Sequence, residues 1–131
     1  MGYHVADAAQ MSWEERPPAV EGQQPRQAAD ITTAARLKHS RGRVWRYPPH
    51  ARGRRHADRA QEEVFVVLSG RLTMVLGDPP ERVDVGPQSV VAVEPQTPLQ
   101  VRNETDEELV LYIYGAPPEQ AGADYFDDVE L

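Results

Sequence analysis

From Arg43 to Tyr114 the chain is a succession of short runs, each ended by proline, glycine or a polar cluster. The runs are Arg43 to Tyr47, Glu63 to Leu68, Arg71 to Leu76, Arg82 to Val85, Ser89 to Val93, Leu99 to Asn103 and Glu108 to Tyr114. Valine and aromatic residues recur in them, and such side chains suit a pleated, half-buried strand. Pro48-Pro49, Gly77-Asp78-Pro79-Pro80, Gly86-Pro87, Pro95 to Pro98 and Glu104 to Glu107 lie between them and supply turns or stop a ladder. Ser69-Gly70 predicts a tight turn into a returning strand. Short strands at this spacing indicate a sandwich or barrel. Val64 to Leu68 and Leu109 to Ile113 are apolar on both faces, so one face fills an interior and the other needs a second cover. A partner copy of the chain is the simplest cover, which predicts a homodimer.

The rest of the sequence frames this block. A chain of 131 residues makes one domain with a sizeable core. Residues 1 to about 29 are polar and dotted with proline, and read as an irregular arm with a short strand near Tyr3 to Val5. Asp30 is placed to cap a short helix from Ile31 to about Lys38, although the β-branched Ile31, Thr32 and Thr33 weaken it. The expected organisation is therefore an arm and short helix over 1–42, a barrel over 43–115 and an acidic tail over 116–131. No cysteine is present, which excludes disulfides and thiolate metal sites. No apolar stretch approaches the roughly 18 residues of a membrane span, and no secretory leader is visible, so a soluble cytoplasmic protein is expected.

Charge is unevenly spread. Nine of the 14 basic residues fall between Arg36 and Arg59, while nine acidic residues follow from Glu104 onward. The net charge of −7 and the lack of a recognised nucleic-acid motif argue against nucleic acid as a partner. The basic segment reads instead as a solvated face, or as a surface paired with the acidic tail.

One segment carries candidate chemistry. His56 and Asp58 are two residues apart and can share one face of a strand, and Glu63 opens the apolar run that ends at Gly70. One imidazole and two carboxylates suit a divalent Zn, Mn, Fe or Ni ion. The same residues equally suit a partly buried histidine bonded to Asp58 or Glu63 with no ion. Glu63 also admits a place as a solvent-facing strand residue, or as a buried carboxylate paired with Arg52, Arg54, Arg55 or Arg59.

The segment from Arg43 to Gly115 resembles the cupin superfamily, whose jelly-roll barrel carries two motifs. In the first, His50 stands at the leading Gly position, His56 matches the first His, Asp58 replaces the second, and Glu63 and Gly70 match. In the second, anchored on Asn103, Gln88, Glu94, Gln96 and Leu99 stand at the Gly, Pro, Gly and His positions. The resemblance implies an all-β double-stranded β-helix, or jelly roll, in which three His and one Glu converge on a metal. Here His56, Asp58 and Glu63 are the candidate ligands, whereas Leu99 cannot ligate, and the altered second motif predicts a reshaped turn. The expected function is binding of a small molecule in the barrel cavity, with a degenerate or absent metal site. Phe65, Val67, Leu99, Val101 and Tyr112 are the expected cavity wall, and Arg54 and Arg55 at the mouth would draw in an anionic ligand. The alternative is a metal-dependent oxygenase, isomerase or decarboxylase that uses His56, Asp58 and Glu63.

Overall fold

Strand-forming runs become strands almost throughout. The structure is a computed structural model that describes residues 2–118 and 120–131; the first residue of the expected arm and Glu119 of the expected tail lie outside these. In chain order the elements are β1 (Glu14–Arg16), β2 (Arg26–Asp30), α1 (Ile31–Ala34), β3 (Arg41–Tyr47), β4 (His56–Asp58), β5 (Glu62–Ser69), β6 (Leu72–Leu76), β7 (Glu81–Val85), β8 (Val90–Val93), β9 (Leu99–Arg102), β10 (Leu109–Ala116) and β11 (Ala123–Tyr125). They form two antiparallel sheets, ordered β1-β2-β3-β10-β5-β8 and β11-β4-β9-β6-β7. The all-β jelly-roll expectation is met.

Alternation builds the core. On β10, Leu109, Leu111 and Ile113 are buried, while Val110, Tyr112 and Tyr114 between them are only partly covered. The ladders set Leu111 beside Val67 and Ile113 beside Phe65. Phe65, Leu72, Met74, Leu99, Leu109 and Leu111 are almost wholly removed from solvent between the sheets. At about 25 cal/mol per Å² of apolar area, each such side chain contributes on the order of 2 kcal/mol before entropy is counted.

Ser69-Gly70 does not close a hairpin. β5 pairs with β10 and β8, whereas β6 pairs with β7 and β9, so the chain crosses from one sheet to the other there. Gly70 has φ +83°, and a Cβ on it would lie 2.5 Å from the Glu108 carbonyl oxygen and 2.9 Å from Leu109 Cα. The corner is tight because the end of β5 abuts the start of β10, a non-local contact that turn chemistry alone does not reveal. The turn at Gly77 to Pro80 does join a hairpin, β6 to β7.

The amino-terminal region also departs from expectation. Tyr3 to Val5 is not a strand; β1 and β2 lie at Glu14–Arg16 and Arg26–Asp30 and extend the first sheet beyond β3. Asp30 caps α1 by accepting from Thr33 N at 3.3 Å and Thr33 Oγ1 at 2.8 Å. The helix stops after one turn, and Arg36 beyond it has φ 52°. The acidic tail is fastened to the barrel. β11 pairs with β4, Arg59 bonds Asp124 at 2.7 Å, and Arg52 bonds Asp128 at 3.1 Å. No helix among the described residues is long and apolar enough to cross a membrane.

Candidate functional site

Strand parity gathers the site. His56 and Asp58 lie on the same face of β4, and Glu63 and Phe65 on the inner face of β5. These side chains, with Leu99 and Val101 of β9 and Ile113 of β10, line a cavity of about 320 Å³. His56 is flanked in its sheet by Leu99 on β9 and Tyr125 on β11. The Tyr125 ring lies 5.9 Å from the imidazole, centroid to centroid.

His56, Asp58 and Glu63 are brought together as the sequence predicts, with ligand-type atoms all within 4.8 Å of one another. His56 Nε2 is hydrogen-bonded to Glu63 Oε1 at 3.1 Å, while Asp58 Oδ2, at 3.7 Å, makes a looser ion pair. On the other side of the ring, Nδ1 is hydrogen-bonded to the Arg54 carbonyl at 3.0 Å. Both ring nitrogens thus have partners within the protein. The two carboxylates are nearly wholly buried, with side chains 6% and 7% exposed.

This setting drives the protonation states apart. Burial by itself would lower the His56 pKa, but the Asp58 and Glu63 carboxylates and the Arg54 carbonyl outweigh it and raise it to about 10. Burial raises Glu63 above the usual carboxylate range, and the neighbouring Asp58 adds to the effect. Asp58 is moved down: burial opposes its charge, but contacts with His56 and Glu63 prevail. Of the two carboxyls, Asp58 is the one that stays ionised most firmly, and Glu63 the one that takes a proton more readily.

The expected wall residues divide. Phe65, Leu99 and Val101 line the cavity. Val67 is buried beside Leu111 in the core and lies outside the lining. Tyr112 is on the wrong parity of β10: it neighbours Val44 and Val66 and stacks on Tyr114 with centroids 5.6 Å apart, while Ile113 takes the cavity position. Arg55 is also outside the lining, and Arg54 is within it. Sequence reasoning misses Arg26, Arg41, Arg43, Trp45, Tyr47 and Tyr125, which all line the cavity. For Arg41, Arg43, Trp45 and Tyr47 the signal was the period of two along β3. Arg26 and Tyr125 come from strands outside the predicted barrel.

The altered glycine positions of the two motifs share one backbone conformation. His50, Gln88 and Gln96 stand at glycine positions of the two motifs, and all three have a left-handed backbone, with φ 64°, 71° and 67°. Each of these positions has the left-handed conformation that glycine adopts most easily, although none of them is glycine. Gln96 N donates to the Asp58 carbonyl at 2.6 Å, fixing this loop against β4. Asn103, the surviving motif residue, is a structural clamp. Its Nδ2 donates to the carbonyls of Tyr47, Pro48 and Glu107, and its Oδ1 accepts from Thr105.

As a metal site the donor set fits in part. One imidazole and two carboxylates converge, and a neutral His56 whose Nδ1–H is held by the Arg54 carbonyl would offer Nε2 to an ion. The position matching the family's remaining histidine is Leu99, directly across the ladder from His56, and supplies no donor. An ion held here would polarise a bound oxygen as a Lewis acid, and would first have to displace the His56–Glu63 hydrogen bond.

The family model for the cupin domain matches residues 43–114. No curated protein sequence matches the chain. A sugar phosphate isomerase of the cupin superfamily from Silicibacter pomeroyi is 20% identical, with a TM-score of 0.74 over 95% of this chain and 82% of its own. The polyketide cyclase RemF from Streptomyces resistomycificus is 15% identical, with a TM-score of 0.75 over 96% and 87%. A conserved protein with a double-stranded β-helix domain from Klebsiella pneumoniae is 16% identical, with a TM-score of 0.70 over 95% and 97%. At these identities the likeness is one of fold. With the family match spanning more than half of the sequence, the chain belongs to the cupin domain family.

Proposed function

We propose that this chain is a metal-independent small-molecule binder, with the ligand held in the barrel cavity between the His56–Asp58–Glu63 cluster and the apolar wall of Phe65, Leu99, Val101 and Ile113. The observation that carries this reading is the full engagement of His56: Nδ1 with the Arg54 carbonyl and Nε2 with Glu63. A histidine so held is a charged hydrogen-bonding wall rather than an open ligand, and Leu99 opposite it extends the apolar surface. The cavity volume of about 320 Å³ corresponds to a metabolite rather than a polymer. A thermal-shift screen of small organic acids, alcohols and sugars, run with and without EDTA, tests it. Hits whose stabilisation is unchanged by chelator and lost in the cavity-filling Leu99→Trp are expected; hits that all vanish in EDTA would overturn it.

A second reading, a metal-dependent enzyme, is supported by the convergence of three donor atoms within 4.8 Å. His56, Asp58 and Glu63 would hold Zn, Mn, Fe or Ni, and the chemistry would be sought among the isomerase and cyclase reactions that the names of its structural neighbours describe. Turnover that needs a stoichiometric ion would favour it. We also propose a homodimer through the outer face of the first sheet, where Leu68 and Val90 are exposed; light scattering at twice the 14.7 kDa chain mass is the expected result.

A further inference from the structure

The cavity also has a cationic side, which meets the His56 cluster through the Arg54 carbonyl and the charge of Arg41 near Asp58. β2 and β3 place Arg26, Arg41 and Arg43 on the cavity face, and Arg54 stands among the lining residues with them. Four arginines and two carboxylates, Asp58 and Glu63, therefore line one cavity in a chain whose net charge is −7, with the Arg54 guanidinium lying over the Tyr125 ring. General basic composition cannot account for that local excess.

The partners of these arginines are not carboxylates. Arg16, Arg52, Arg59, Arg82 and Arg102, none of which lines the cavity, each pair with a carboxylate. Among the described residues none of Arg26, Arg41, Arg43 and Arg54 does so. Arg26 donates to the Tyr47 hydroxyl at 3.3 Å and the Pro17 carbonyl at 3.2 Å, and lies over Trp45 with its guanidinium carbon 5.3 Å from the ring centre. Arg41 donates to Gln61 Oε1 at 2.6 Å. Among the described residues the Arg43 side chain has no hydrogen-bond partner at Nε, and neither has that of Arg26; both atoms are buried. Burial and the nearby Arg16 and Arg41 push the Arg43 pKa down, an effect that Asp30 and Glu14 offset only in part. Crowded like charges with spare donors cost free energy, which a planar oxyanion accepting forked hydrogen bonds would recover.

We propose that Arg26, Arg41 and Arg43 form an oxyanion-recognition site, so that the ligand is a small acid whose carboxylate or phosphate seats on these guanidiniums while its apolar body lies against Leu99 and Ile113. This rests on the reading that the cavity takes a small molecule. It gives the Arg-rich segment two roles. Arg52 and Arg59 fasten the acidic tail, while Arg41 and Arg43 meet the ligand.

The test is calorimetric titration of the full chain with phenylacetate, phenyl phosphate and the neutral phenylacetamide. At least one of the two anions should bind about tenfold or more tighter than the amide, and the tighter of them identifies the group. Inorganic phosphate should compete with it. Arg43→Gln should abolish the preference yet keep the amide affinity, which reports an intact cavity; Arg52→Gln, outside the cavity, should leave the preference unchanged. Should Arg43→Gln not fold, salt reads the same property, since ionic strength weakens the binding of the anion and not of the amide. Equal affinity for anions and amide would overturn the oxyanion site and leave the cavity reading standing. So would an equal loss of preference in Arg43→Gln and Arg52→Gln. Absence of saturable binding by all three at millimolar concentration would overturn both.

Discussion

Leu99 stands directly opposite His56 in the β4–β9 ladder, and both side chains line the same cavity. The residue facing the imidazole across the ladder is therefore apolar, at the start of β9 just after the left-handed Gln96. Restoring the donor should be enough to change the chemistry. Leu99→His would bring a second imidazole to Asp58 and Glu63, and it is expected to take up one divalent ion per chain from a zinc or nickel solution. Elemental analysis after desalting checks this; a variant as metal-poor as the wild type would show that Leu99 is not what limits the site.

The His56 cluster predicts how stability depends on pH. On folding, the imidazole pKa rises from 6.5 to about 10. A pKa raised by folding contributes stability that is whole below 6.5 and is lost as pH climbs to about 10. Glu63, also raised, acts in the same direction. Between about pH 6 and about pH 9.5 the wild type should lose on the order of 2–4 kcal/mol more than His56→Gln. Urea unfolding midpoints of the two proteins at those pH values provide the measurement.

Asn103 is predicted to matter for folding and not for the ligand. It satisfies three carbonyl groups and holds Thr105, tying the β9–β10 turn to the end of β3. Asn103→Ala should cost about 2–3 kcal/mol by leaving buried acceptors unpaired. Ligand affinity of the folded fraction should be unchanged when measured below the unfolding transition.

Glycine should be welcome where the two motifs ask for it. Gln96 holds φ 67° with its side chain in solvent, so the left-handed backbone strains it without a packing return. Gln96→Gly keeps the amide that bonds Asp58, and should gain about 1 kcal/mol. A rise in thermal midpoint of a few degrees is expected; a fall would mean that the glutamine side chain makes a compensating contact.

The strands that carry apolar alternation were legible in the sequence. β3 and β5 to β10 lie within a residue or two of their predicted bounds, and His56, Asp58 and Glu63 converge as their spacing implies. What was hidden has particular causes. β1, β2 and β11 read Glu-Glu-Arg, Arg-Gln-Ala-Ala-Asp and Ala-Asp-Tyr, with no apolar stripe to mark them; pairing with neighbours makes them strands. Leu109 to Tyr114 is apolar at both parities, so its inward face could not be chosen, and Tyr112 was placed in a cavity that Ile113 occupies. The sheet change at Gly70 depends on the backbone of Glu108 and Leu109, far along the chain. Arg41 and Arg43 share their parity with Trp45 and Tyr47, but a basic run alone does not tell a solvated face from a cavity wall.

The metal content of the wild-type chain decides most directly between a charge-paired ligand wall and a metal centre. Protein purified without chelator would be loaded in turn with Mn, Fe, Ni and Zn, desalted, and assayed for metal per chain beside His56→Ala. Bonded through both ring nitrogens, His56 should leave the wild type far below one ion per chain and indistinguishable from the variant. One equivalent of a transition metal in the wild type, absent from His56→Ala, would contradict it.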